Sequence, residues 1–173
     1  MDTIMEDRLK AILTTVNDWL RYAEVKNGAL LTFASGLGLA LVKSYPRFVP
    51  GSKMEWCYLT AIALISVTAM VCLVSFIPKL RIPWFETELL PREEHNLFFF
   101  GDIAQFSANG YVTALLIANG EQTRAITKLE TNLALQAIVN AGIARRKYTC
   151  FNFAISSLLI GALFLGITGI VLL

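Results

Sequence analysis

The sequence predicts an all-α membrane protein with three transmembrane helices, two of them extending into a small cytoplasmic helical domain. Three observations carry that prediction. The 173-residue chain is 55% hydrophobic and only 16% charged, well away from the balance of a soluble domain. Its apolar residues gather in three runs without Asp, Glu, Lys or Arg: Asn27–Val42 (16 residues), Trp56–Pro78 (23) and Tyr148–Leu173 (26). The basic residues are spread unevenly over the segments that join these runs.

About 20 apolar residues cross a bilayer, so the second and third runs qualify directly. The first is shorter. Lys26 and Lys43 bracket it, and their long stems can reach the interface and lengthen the span. Read alone, this run also suits a buried soluble helix. The organisation expected is a cytoplasmic amphipathic helix over 1–26, spans over 27–44, 56–78 and 148–173, an external loop over 45–55, and cytoplasmic linker and helices over 79–147.

The first 26 residues carry nine charges and no apolar core, unlike a secretory signal, and direct insertion of an internal span is expected. Four basic residues precede the first span, three lie between the first and second, and eight lie between the second and third. With three spans, the N-terminus and the long connecting segment share a side. The positive-inside rule places that side in the cytoplasm and the C-terminus outside, making the chain a multi-pass membrane protein.

Residues 4–26 place Leu9, Ile12, Leu13, Val16, Trp19, Leu20 and Ala23 at three-and-four spacing, the pattern of an amphipathic helix. No proline separates this helix from the first span, so one long rod is expected. A helix lying flat on the membrane is the other reading. Glu121–Lys147 is also proline-free, with Ile126, Leu129, Leu133, Ala137 and Ala144 near one stripe. The two apolar faces are expected to pack together. Pro78, Pro83 and Pro91 break any helix between Ile77 and Gln105, which reads as an extended linker. Trp84 and Phe85 are expected at the membrane surface. Ser107 suits the N-cap of a helix over Tyr111–Ala118, and Asn119-Gly120 marks a turn.

Gly28, Thr32, Gly36 and Ala40 recur every four residues in the first span. Ser157 with Gly161, and Ala162 with Gly166, do the same in the third. Such stripes permit close helix packing in lipid, within one chain or between the subunits of a homo-oligomer. The absence of ionisable residues from the three runs disfavours a proton-coupled transporter. Cys57, Cys72 and Cys150 have no metal-ligand spacing and read as small apolar fillers.

Enzyme signatures are missing. A single histidine, His95, cannot build a multi-histidine metal site, and neither a phosphate-binding glycine loop nor a nucleophile elbow is present. Glu93, Glu94 and Asp102 read as a solvated charge run. The net charge of +2 does not call for a nucleic acid polymer as partner, and no cofactor is expected. The basic triplet Arg145-Arg146-Lys147 is expected to face lipid headgroups. The segment "EHNLFFFGDI" (Glu94–Ile103) is the richest in polar and aromatic groups. Read as extended chain, Phe98 and Phe100 share one face, and Leu97 and Phe99 the other. An aromatic plane, the compact Gly101 and the polar edges of His95, Asn96 and Asp102 suit a nucleobase. A purely structural corner is the plainer reading of the same residues.

The stretches "RYAEVKNGALLTFASG", "NLFFFGDIAQFSANGYVTAL" and "ARRKY" resemble the membrane effectors of the bacterial pyrimidine-cyclase antiphage system, Pycsar. The matching residues are Ala23, Glu24, Lys26, Asn27, Leu30, Leu31 and Phe33, then Asn96, Leu97, Phe99, Gly101, Asp102, Ile103 and Tyr111, then Ala144, Lys147 and Tyr148. The resemblance implies a non-enzymatic effector that binds cyclic UMP or cyclic CMP on the cytoplasmic side. It would then impair the inner membrane, an abortive response to infection. Candidate ligand-binding residues within or beside these stretches are Arg21, Lys26, Asn27, His95, Asn96, Phe99, Gly101, Asp102 and Arg145. The cations would meet the cyclic phosphate and the base would lie by Phe99 or Phe100. Gly28, Gly36, Gly161 and Gly166 are the expected helix-packing positions. A membrane scaffold without ligand sensing and a small constitutive holin-like pore remain as alternatives. A scaffold is harmless, a pore is toxic alone, and an effector is toxic only with its nucleotide.

Overall fold

The computed structural model describes residues 2–45, 48–77, 95–121 and 124–172. The described residues form five helices and no strand: α1 (Asp2–Lys43), α2 (Lys53–Phe76), α3 (Phe100–Ile103), α4 (Ala108–Ala118) and α5 (Lys128–Leu172). Three of them, α1, α2 and α5, are long and apolar enough to cross a membrane, and the protein is an all-α membrane protein. The prolines of the expected linker (Pro78, Pro83 and Pro91), together with Trp84 and Phe85, lie outside the described residues.

At 1.5 Å rise per residue, the 24 residues of α2 extend about 36 Å, enough for the roughly 30 Å hydrocarbon layer. The 42 residues of α1 and the 45 of α5 extend about 63 and 67 Å. Each is about twice what a bilayer needs, so a large part of each serves elsewhere. The chain divides accordingly into two compact units, Met1–Ala23 with Pro78–Arg146, and Glu24–Ile77 with Lys147–Leu173. Both α1 and α5 continue without a break from one unit into the other.

The unit Glu24–Ile77 with Lys147–Leu173 holds all but Pro78 of the three apolar runs and is called the membrane unit for that reason; it packs Leu30 and Ala34 of α1, Ile65 and Cys72 of α2, and Ala154 and Leu158 of α5 into one core. Lipid tails are as apolar as these side chains, so close fit and interhelical hydrogen bonds hold the spans together. Thr68 Oγ1 donates to Leu64 O at 3.0 Å on its own helix and to Ala154 O at 3.2 Å on α5. Ser157 Oγ donates back to Leu64 O at 3.0 Å. The approach is tight at Gly161, where a Cβ would lie 3.3 Å from Leu64 Cβ and 3.4 Å from Ala61 O. At the opposite end of the first hairpin, Ser52 caps α2 by accepting from Glu55 N. Glu55 in turn accepts from Tyr45 OH at 2.9 Å and Gly51 N at 2.6 Å. The rings of Tyr45, Phe48 and Tyr58 cluster at 5.5–5.6 Å, side chains of the type that membrane interfaces favour.

The second unit is helical as well. From α1 it buries Met5, Leu9, Ile12, Val16 and Ala23, close to the predicted face, but Trp19 stays partly exposed and lies 5.7 Å from the Phe100 ring. The buried stripe of α5 matches the prediction in part. Ala137 and Ala144 are buried as expected and are joined by Ala134 and Ala141, while Leu129 is exposed and Leu133 only partly buried. Small side chains let α1 and α5 come close, and Asn140 Nδ2 donates to Asn17 Oδ1 at 2.8 Å across them. Ser107 caps α4 by accepting from Gly110 N, and Gly120 takes φ +75° in the turn after it, a conformation that glycine adopts without strain.

The start of α5 lies at Lys128 rather than near Glu121. Thr127 and Glu130 form a capping box: Thr127 Oγ1 accepts from Glu130 N at 3.2 Å, and Glu130 Oε2 accepts from Thr127 N at 2.9 Å. Glu130 is fully buried and accepts from Arg124 Nη2 at 2.5 Å. Burial opposes its ionisation. The hydrogen bonds and charge of Arg124, with those of Thr127, outweigh that and hold the carboxyl below its usual range. This stabilisation is complete above the unfolded carboxyl pKa, about 4.3, and is lost as pH falls through the lower folded-state value. Arg124→Ala leaves a buried carboxylate without its cation and is expected to cost about 2–3 kcal/mol. Thermal unfolding of the detergent-purified protein at pH 7 checks this, and Glu130→Gln should flatten the acid limb of the stability profile.

Candidate functional site

The segment expected to hold the ligand is a folded corner. Asn96 Oδ1 accepts from Phe98 N at 2.9 Å, and Asn96 O accepts from Phe99 N at 3.1 Å. These bonds turn the chain immediately before α3. Asp102 Oδ2 reaches back to accept from Asn96 N at 2.9 Å. The hydroxyl of Tyr111, which is buried on α4, donates to Leu97 O at 2.6 Å. Burial pushes the Tyr111 phenol well above its ordinary value, so it stays a neutral donor.

The turn removes the strand-like alternation predicted for the three phenylalanines. Phe98 is 63% exposed and Phe99 43%, whereas Phe100 is 8% exposed. Phe98 and Phe100 therefore do not share a face. Phe100 packs against Trp19 and Phe99, with ring centroids 5.7 and 4.6 Å away. The Phe99 ring folds over Gly101, where a Cβ would stand 2.5 Å from Phe99 Cε1. Glycine is needed here for this close approach, and its φ is not in the left-handed region. His95 meets Phe106 edge-on at 5.3 Å, and Phe106 lies 5.5 Å from Tyr111.

The predicted ligand-binding residues fall in two groups. Arg21, His95, Asn96, Phe99, Gly101, Asp102 and Arg145 belong to the unit that holds this corner, and Arg21 and Arg145 are solvent-exposed on α1 and α5. Lys26 and Asn27 belong to the membrane unit. Lys26 Nζ lies 5.7 Å from the Tyr148 ring and 5.3 Å from the Phe151 ring, within cation–π range. Asn27 is fully buried and donates from Nδ2 to Lys147 O at 3.2 Å. Of the four packing glycines, Gly161 is closely covered. A Cβ on Gly28 would meet Phe76 at 3.8 Å, and Gly36 and Gly166 have nothing within 4 Å of that position.

Lys147 departs from the headgroup-facing position expected for the basic triplet. It is only 9% exposed. Its ammonium donates to Ser75 O at 3.2 Å, pairs with Glu24 Oε1 at 3.2 Å and lies 5.3 Å from the Phe76 ring. The last carbonyls of α2 lack intrahelical partners and carry the negative end of its dipole, which is what draws the ammonium inward. The sequence places opposite charges, Glu24 and Lys147, at the entrances of two spans, but does not show that Lys147 turns inward.

Tyr111→Phe deletes the hydroxyl that holds Leu97 O and is expected to cost about 1 kcal/mol, with faster hydrogen exchange of the 96–103 amides. Asp102→Ala should speed exchange at Asn96 while leaving the α1 and α5 amides slow. Exchange mass spectrometry separates the two variants.

A family model described as the Pycsar effector protein domain matches residues 8–173. The chain is 32% identical over 148 residues to the Pycsar effector protein RsPycTM of a Rhizobium species, covering 82% of this chain and 81% of that protein. It is 29% identical over 157 residues to the Pycsar effector protein PtPycTM of Propioniciclava tarda, covering 88% and 71%. No solved structure matches. With three membrane-length helices and a family match over nearly its whole length, the chain belongs to the Pycsar effector family, as a transmembrane effector of antiphage defence.

Proposed function

We propose that this protein is a cyclic pyrimidine mononucleotide-gated effector, which binds cyclic UMP or cyclic CMP and then impairs the bacterial inner membrane, arresting the infected cell. The observation that carries the reading is the continuity of α1 and α5, each contributing to both units. It gives binding outside the membrane a direct mechanical route to the spans. The effector acts without catalysis, through binding and rearrangement.

In this reading the N-terminus and the 95–146 region are cytoplasmic, supported by twelve basic residues on that side against three on the other. The base stacks on Phe99, whose ring is partly accessible beside the more exposed Phe98. His95 supplies a polar ring edge, and Arg21 and Arg145 supply cations for the phosphate. Asn96 Oδ1 and Asp102 Oδ2 already accept from the corner's own amides, so these two act mainly by holding its shape, as Gly101 does by admitting the Phe99 ring. Lys26 and Asn27 would relay rather than contact the ligand, since their described partners are on α5. The activated state is a homo-oligomer whose spans meet through the small-residue positions Gly36 and Gly166, which have nothing within 4 Å in the single chain.

Thermal unfolding of the purified protein with cyclic UMP, cyclic CMP, cyclic AMP and cyclic GMP tests the reading. A ligand at about 100 times its dissociation constant stabilises the native state by about 2.7 kcal/mol. One pyrimidine nucleotide should raise the midpoint, and Phe99→Ala should abolish the rise. No shift with either pyrimidine nucleotide in folded protein would refute nucleotide gating.

A further inference from the structure

The membrane unit contains one place where a single side chain ties all three spans together. Lys147 stands at the first position of α5 within that unit. Its ammonium bonds Glu24 of α1 and the Ser75 carbonyl of α2, each at 3.2 Å, and lies over the Phe76 ring. Its carbonyl accepts from Asn27 of α1. Elsewhere in the unit, the hydroxyls of Tyr58, Thr68 and Ser157 donate across the helices to backbone carbonyls and no charge is involved in these bonds. The charge-based tie therefore sits at the entrance of the membrane unit, at the level where α1 and α5 pass into it.

We infer that the Lys147–Glu24–Ser75 clasp is the holding device of the quiet state, and that activation proceeds by its release. The inference rests on the effector reading above. Three physical features suit a latch. The tie acts over a short range, because a small tilt or rotation of α1 or α5 separates atoms that are 3.2 Å apart. The released state is accessible, because the four-carbon stem of Lys147 can carry the ammonium out to the headgroups and Glu24 is already about half exposed. Release also frees a terminal carbonyl of α2, loosening the one span that does not extend into the other unit.

The test uses the full chain in phosphatidylethanolamine–phosphatidylglycerol vesicles loaded with a self-quenched dye, with and without cyclic UMP or cyclic CMP. Lys147→Met and Glu24→Gln are expected to leak without nucleotide at least tenfold faster than wild type, at unchanged helix content by circular dichroism. Lys147→Arg keeps a cation at the site and should stay quiet. The double variant should leak no faster than the faster single variant, since both act on one tie. Folded Lys147→Met that is as quiet as wild type overturns the clasp, even if nucleotide still opens the wild type. A double variant whose leak is the product of the two singles overturns it too, because the residues would then act separately. Leak from Lys147→Met with a wild type that ignores both nucleotides supports the clasp and instead refutes the nucleotide reading.

Discussion

Inside hydrocarbon a backbone N–H or C=O without a partner costs several kcal/mol, so a span must remain helical through the whole apolar layer. In this chain that constraint reaches past the membrane. Neither α1 nor α5 contains a proline or a break where it leaves the apolar run. The hydrogen-bond ladder that lipid enforces over half of each helix is simply continued over the other half. The non-membrane unit is thus assembled on helices that the membrane already holds folded. Its own contributions, the corner before α3 and the short α4, fill the space beside those segments with Tyr111, Phe100 and Ile103.

Stability in the two units has different sources. In the unit that holds the amphipathic half of α1, read as lying outside the membrane, water makes apolar burial favourable, and Met5, Leu9, Ile12, Val16, Tyr111 and Leu115 are all buried. In the membrane unit that driving force between helices is absent. Among the described residues, the close fit at Gly161, the interhelical hydrogen bonds of Asn27, Tyr58, Thr68 and Ser157, and the ionic tie of Lys147 act in its place. Such a unit can change its packing at modest cost, because few large apolar surfaces must be exposed to water when it does.

The spans, the unbroken passage of α1 from its amphipathic half into the membrane, the Ser107 cap and the Asn119-Gly120 turn are all legible in the sequence. Each follows from a local rule: length against bilayer thickness, absence of proline, a side-chain acceptor before a helix, and a glycine that tolerates positive φ. The three phenylalanines depart from the alternation of an extended chain. The turn there depends on Asn96 and Asp102 bonding backbone groups up to six residues away. On α5, periodicity finds Ala137 and Ala144 but also favours Leu129 and Leu133, whereas close approach to α1 selects the small side chains of Ala134 and Ala141. The capping box at Thr127 and Glu130 is readable from its spacing. The inward position of Lys147 is not, since it depends on where α2 ends. The candidate ligand residues come from family-like stretches. The fold separates them into residues that shape the corner, residues that present rings or cations, and residues that join α1 to α5.

The central claim is that ligand binding outside the membrane is converted into movement of the spans through α1 and α5. Spin labels at Val25 and Phe153, both exposed in the membrane unit, report the α1–α5 distance by pulsed electron resonance, and a label at Leu73 in place of Phe153 reports α1–α2. Both are measured in protein freed of Cys57, Cys72 and Cys150. The pyrimidine nucleotide that stabilises the protein is expected to shift at least one of these distance distributions, and cyclic AMP to shift neither. Nucleotide-induced vesicle leakage with both distributions unchanged would contradict it.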